Sequence, residues 1–160
     1  MQIHFKKGSD GPDVLHCMRD DGTQTWAPLQ PTFGPMHDLG HFVVETALGL
    51  RGGFYGLLAR GFDLSSFEER EARSRIEEEG LLAETLVMAL QYELAGFAEP
   101  EAYLASVAAA CRGLSIAAPE LAPGVVEHMR DRFRELWARW EALPPGGRLT
   151  LVFEPERRPD

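Results

Sequence analysis

Pro144-Pro145-Gly146-Gly147-Arg148-Leu149-Thr150-Leu151-Val152-Phe153 is the stretch whose reading decides the fold. Two prolines cannot continue a helix and two glycines supply a tight corner, so the helical pattern before them stops there. Beyond the corner Leu149, Leu151 and Phe153 alternate with Arg148, Thr150 and Val152, the period-2 signature of a half-buried strand. Its partner is expected at the other end of the chain. Residues 2–7 alternate in the same way, and Gly8-Ser9-Asp10-Gly11-Pro12-Asp13 supplies dense turn chemistry. Residues 14–19 alternate again, with Leu15, Cys17 and Arg19 on one face and Val14, His16 and Met18 on the other. Asp20-Asp21-Gly22 marks a second turn before a short third strand, Thr23 to Trp26. Three strands with tight turns read as an antiparallel meander, and the closing strand is expected to pair with it. The fold class is therefore α+β: a small antiparallel sheet from the N-terminal meander plus the C-terminal strand, packed with a multi-helix bundle formed by residues 36–143. The expected organisation is a single domain over 1–160, with 154–160 a flexible tail.

Between the strands the pattern turns helical. Pro28, Pro31 and Pro35 hold residues 27–35 extended. A helix over 36–48 follows, capped by Gly34 or Thr32, with Pro35 suited to its first position and Gly49 to its end. Residues 54–59 form a short apolar helix or turn closed by Gly61. Ser65 and Ser66 stand three residues before Glu68 and Glu69, the capping-box spacing. From there a long helical region is expected to about Phe97, with Gly80 a break or kink and residues 68–79 a solvated charged face. A helix over 100–111 comes next. Val125, Met129, Phe133, Leu136, Trp140 and Leu143 then trace a helical stripe, with Trp137 and Trp140 expected in the core.

At 160 residues and a formal charge of −9, the chain can bury a core of its own and lacks the basic balance of a phosphate-backbone binder, so no nucleic-acid partner is expected. No apolar run approaches the roughly 20 residues of a membrane span, and the alternating amino terminus lacks the apolar core of a signal peptide. Cys17 and Cys111 are far apart with no C-x-x-C spacing, which reads as two reduced thiols in a cytoplasmic protein.

The densest chemistry lies at Pro35-Met36-His37-Asp38-Leu39-Gly40-His41-Phe42-Val43-Val44-Glu45. On a helix each four-residue step drifts by only about 40°, so His37, His41 and Glu45 form one polar stripe with about 6 Å between neighbours. Two imidazoles at i and i+4 can grip one metal ion, zinc or another divalent transition metal. Glu45 is about 12 Å from His37 along a straight helix, too far to share that ion. It suits instead a carboxylate behind His41 that fixes the imidazole tautomer. The third ligand must come from elsewhere. Glu84 and Gln91 lie seven apart, on one face of an apolar helical stretch where an unpaired carboxylate is costly. Glu84 is the first candidate, with Glu93 and His128 behind it. Asp38 is assigned the task of orienting or deprotonating a water, with Glu45 supporting the catalysis from behind His41. Arg51 and Tyr55 are expected to lean over the site as anion or substrate contacts. Gly49-x-x-Gly52-Gly53 follows a helix and lacks the lysine of a phosphate loop, so it reads as a tight turn beside the motif helix.

The run His37-Asp38-Leu39-Gly40-His41 resembles the zincin helix, with Asp38 in the place of the glutamate that acts there as general base. The resemblance covers five residues, and no downstream glycine-histidine segment follows them. It implies a metal-dependent hydrolase with His37 and His41 as zinc ligands. The same letters are similar to a His-Asp-Leu-Gly-His run of HD-superfamily phosphohydrolases. Those enzymes also need a histidine on an earlier helix, whereas His4 and His16 lie in expected strands. The wider segment through Val43-Val44-Glu45 and Leu48-Gly49-Leu50-Arg51 resembles that of a family of small uncharacterised bacterial proteins, a likeness that brings no function with it.

A second reading needs no metal. The histidines can hydrogen-bond to backbone and to Glu45 in a structural network, and Asp38 near a helix amino terminus is favoured by the macrodipole alone. The chain is then a non-catalytic interaction or regulatory domain. Aromatics of the 27–35 loop and Phe54-Tyr55 would dock a partner, a second copy of the chain among the candidates. The identity of a small-molecule or protein partner stays open.

Overall fold

The computed structural model describes residues 1–31, 33–68 and 77–154. Strands β1 (Gln2–Lys6), β2 (Val14–Met18), β3 (Gln24–Pro28) and β4 (Arg148–Val152) form one antiparallel sheet in the order β3-β2-β1-β4. The closing strand therefore pairs with β1, Ile3 facing Leu151, and the architecture is the α+β arrangement read from the sequence. β3 runs through Ala27 to Pro28, two residues past the expected end. Pro28 is tolerated there because β3 is an edge strand, where a missing N–H costs no ladder bond.

Five helices are described: α1 (Gly34–Leu48), α2 (Phe54–Ala59), α3 (Glu78–Leu94), α4 (Tyr103–Leu114) and α5 (Pro123–Glu141). The inner face of the sheet presents Ile3, Phe5, Leu15, Cys17, Leu149 and Leu151, all buried. Above it α1 lies in contact with both α3 and α5, and α3 with α4. Alternation along the strands and the 3.6-residue period along α1 and α5 thus meet in one core. The α5 stripe is buried as expected at Met129, Phe133, Leu136 and Trp140, with Trp137 partly buried against it. Tyr55 joins three pieces of chain, its ring 6.3 Å from Phe42 and 5.8 Å from Phe153.

Helix boundaries are corrected at several points, among them the helix expected over 100–111, which runs Tyr103–Leu114 behind a 3-10 turn at Pro100–Ala102. The expected long helix from residue 65 is instead a 3-10 turn at Leu64–Glu68 followed, after residues outside the description, by α3. The Glu69 half of the proposed capping box and most of the charged 68–79 face lie outside the described residues, as do Thr32 and residues 155–160 of the tail. Gly80 is no kink. It sits in the first turn of α3, where backbone N–H groups lack intrahelical partners in any case. Glu79 does not belong to a solvated face either, since its carboxylate accepts the backbone N–H groups of Arg51 and Gly52. α1 starts at Gly34, two residues early, with Phe33 rather than Gly34 or Thr32 at its cap position.

Two polar clamps fix α2 and the turn after it. Arg19, buried at the end of β2, donates Nε–H to the Leu58 carbonyl (2.6 Å) and further hydrogens to the Phe62 carbonyl and the Asp63 carboxylate. Thr25 Oγ1 accepts the Leu64 N–H (2.9 Å). On the far side of the bundle Glu93 pairs with Arg130 through two bonds of 2.7 and 2.8 Å.

Candidate metal centre

α1 carries His37 and His41 on the side that faces α3. How closely the two helices approach is set by Gly40, where a β-carbon would come within 3.0 Å of Val87 Cγ1. With only hydrogen at that position α3 comes near enough for Glu84 and Gln91 to reach the histidines. His41 Nε2 is 3.2 Å from His37 Nε2 and 3.1 Å from Glu84 Oε2, and His37 Nε2 is 3.7 Å from the same oxygen. These three atoms form a small triangle, the only such cluster of three metal-ligating side chains among the described residues. Four ligands about 2.0–2.1 Å from a tetrahedral zinc lie about 3.3 Å apart. The triangle has those dimensions.

Each imidazole is held by its other nitrogen. His41 Nδ1 lies 3.0 Å from Glu45 Oε1, an acceptor, so it donates its hydrogen there. His37 Nδ1 lies 3.2 Å from Gln91 Oε1 and does likewise. Both rings therefore turn Nε2 toward the common point, as ligands oriented from behind do. Glu45 is itself fixed by two backbone donors of α2, the Tyr55 N–H at 3.3 Å and the Gly56 N–H at 3.0 Å. The Gly52-Gly53 corner brings them there. It is the tight turn read from the sequence, with Gly49 in the left-handed region (φ 64°) ending α1.

Electrostatics follow from this packing. Burial lowers the pKa of His37, helped by the charge of His41 and opposed by Glu84 and Gln91. For His41 burial also acts downward, yet the hydrogen bonds and charges of Glu45 and Glu84 outweigh it and push the value up to about 10. A protonated His41 shares its Nε2–H between Glu84 and the Nε2 lone pair of His37. Asp38, half-buried on the same helix, is pushed up to about 7 by burial and by Glu84, with His41 acting against them. The longer α1 places Asp38 beyond the first turn, where the macrodipole has faded, so that explanation for its presence no longer applies.

No match to this chain appears among protein-family models, curated proteins or solved structures.

His37, Asp38, His41 and Glu84 line one cavity of about 570 Å³, together with Gly52, Gly53, Phe54, Leu57, Phe67, Gly80 and Leu81. A cavity of about 600 Å³ between Leu48, Leu82 and Leu121 contains carboxylates but no imidazole or thiol. Glu93 and His128 stand apart from the centre, Glu93 in its buried pair with Arg130 and His128 exposed on α5. Tyr55 does not lean over the site, since it is wholly buried, while Arg51 is exposed in the corner before α2. Two parts escaped sequence reading. Gln91 was seen to share a face with Glu84 without its hold on His37, and the glycine corner was seen as a turn without its service to Glu45. A signal for the second existed in the glycine pair seven and eight residues after a buried carboxylate.

Proposed function

We propose that this chain is a metal-dependent hydrolase of the cytoplasm in which His37 Nε2, His41 Nε2 and a Glu84 oxygen hold zinc or another divalent transition metal. The observation that supports this most is the triangle of ligand atoms whose two imidazoles are both turned inward by acceptors behind them. Two imidazoles and one carboxylate are a donor set used by catalytic zinc, which keeps a fourth position for water or substrate. A bound metal supplies Lewis acidity, polarising a carbonyl and lowering the pKa of water that reaches it. Asp38 opens on the same cavity and takes the proton of the attacking water. Glu45 keeps His41 in its ligating tautomer, and Gln91 does so for His37. Both cysteines are buried and free, which fits a reducing compartment. Among the described residues no helix is long and apolar enough to cross a membrane.

One observation favours the competing account of a structural network: both nitrogens of His41 already have protein partners. Metal content separates the two. Protein purified without a histidine tag or chelator should carry about one equivalent of transition metal, and the His37→Ala, His41→Ala double variant none. A metal-free wild type whose melting temperature ignores added zinc would establish the network instead.

A further inference from the structure

The cavity lining combines two chemistries: His37, Asp38, His41 and Glu84 share it with the apolar side chains of Phe54, Leu57, Phe67 and Leu81. The apolar wall begins at the ligands themselves, for the Phe54 ring lies 5.4 Å from the His41 ring and 5.0 Å from that of Phe67. An apolar group bonded next to a carbonyl carbon would meet this wall as soon as the carbonyl reached the metal. Charge narrows the class further. Asp38, Glu84 and, behind His41, Glu45 set three carboxyl groups around the centre, and among the described residues no lysine or arginine lines the cavity. A divalent ion would be largely offset by them, so a phosphate or carboxylate head group would meet repulsion from these carboxylates.

We infer that the substrate is an uncharged ester or amide whose acyl carbon carries an aromatic or compact branched apolar group. In its hydrolysis the water oxygen bonds to the carbonyl carbon and the bond from that carbon to the ester oxygen or amide nitrogen breaks. The water proton passes by way of Asp38 to the departing oxygen or nitrogen. The products are a carboxylic acid and an alcohol or amine, and the acid leaves a cavity that disfavours its charge. The volume of about 570 Å³ is within the usual range for small-molecule sites.

This inference rests on the metal reading, and the experiment keeps the two apart. The full chain is titrated with Co²⁺, its visible absorption reporting uptake, and then with acetohydroxamic acid, benzohydroxamic acid and phenyl phosphate. Absence of cobalt uptake would overturn the metal reading and this inference with it. With cobalt bound, benzohydroxamic acid should bind at least about tenfold tighter than acetohydroxamic acid, beyond their ratio for free cobalt, because a phenyl ring buries far more apolar surface than a methyl. Phenyl phosphate should bind more weakly than either. Phe67→Ala should shrink the phenyl preference, and Leu81→Trp, which fills the cavity, should abolish it while leaving acetohydroxamic acid bound. Cobalt stoichiometry in each variant verifies that it has folded. Equal hydroxamate affinities, or a preference for phenyl phosphate, would overturn the substrate class while leaving the metal centre standing.

Discussion

The carboxylate of Glu45 rests against the bare α-carbon of Gly53: a β-carbon added to Gly53 would fall 2.4 Å from Glu45 Cδ. This close approach lets the N–H groups of Tyr55 and Gly56 reach the carboxylate that holds His41. The corner between α1 and α2 is therefore part of the candidate centre, although the three ligand atoms come from His37, His41 and Glu84.

Gly53→Ala should push Glu45 away from both backbone donors. Overpacking of a tight site costs about 1–3 kcal/mol, so urea denaturation should show a loss of that order. Zinc affinity should fall with it, because His41 loses its orienting partner. Unchanged stability would mean that α2 shifts freely and Glu45 is not pinned.

Glu45→Gln keeps the shape and a hydrogen-bond acceptor while removing the charge behind His41. Zinc affinity, measured by competition with a chromophoric chelator, should drop about 10–100-fold, the usual range for partners of metal-bound histidine. Glu84→Gln should do more, since it weakens a ligand directly. An equal zinc affinity in wild type and Glu84→Gln would remove Glu84 from the ligand set.

Asp38→Asn should leave one equivalent of metal in place and lower the turnover of an aryl ester by about 10²–10⁴-fold, the range for loss of a general base. Because Asp38 is absent from the triangle, metal loss in this variant would instead assign it a ligating role.

In zinc-free protein, stability should fall as pH rises from about 6 to 10. His41 has a folded pKa near 10, above its unfolded value of about 6.5. Its contribution is complete below 6.5 and is lost as pH climbs through 10. Asp38 acts in the same sense over a lower window, since burial raises its folded pKa to about 7, and its contribution, complete below the unfolded value of about 3.9, is lost once pH passes 7. Glu84, whose pKa is lowered by His41 and His37 against the effect of burial, works the other way and removes stability only as pH falls below the ordinary carboxylate range. Zinc competes with the His41 proton, so the rise in melting temperature on adding zinc should grow between pH 6 and 8. A zinc effect that shrinks over this interval would contradict the shared position of proton and metal.

Most of the sheet was legible in the sequence because strand alternation is a local signal with few rivals: Leu149, Leu151 and Phe153 could face only one way. The ligand pair was legible for the same reason, since i and i+4 on a helix converge by geometry alone. Glu84 required more, because its approach depends on how closely α1 and α3 cross, and that distance is set by Gly40 against Val87. The cost of burying an unpaired carboxylate in an apolar stretch pointed to it, yet the Glu84 side chain is 51% exposed, so that argument is not what places it. That argument treats all such carboxylates alike, and Glu93, which raised the same expectation, found its partner in Arg130 on α5. Tyr55 misled because an aromatic beside a glycine corner looks like a surface contact. Its ring is instead drawn under α1 by Phe42 and Phe153.

Pairing of β4 with β1 also predicts an order of assembly, which loop-closure entropy sets. Ile3 has two strand partners, Cys17 close by in the chain and Leu151 near its other end. Closing the longer of these loops costs about 2 kcal/mol more chain entropy than closing the shorter, and such distant contacts form late in folding. The β1–β2 hairpin and the crossing of α1 with α3 span much shorter separations. A refolding chain therefore gains its ligand triangle, confined to residues 37–84, before the sheet is complete. Cobalt absorption in a stopped-flow mixer should accordingly precede the final fluorescence change of a variant that keeps Trp140 alone of the three tryptophans, and simultaneous phases would show that the centre waits for β4.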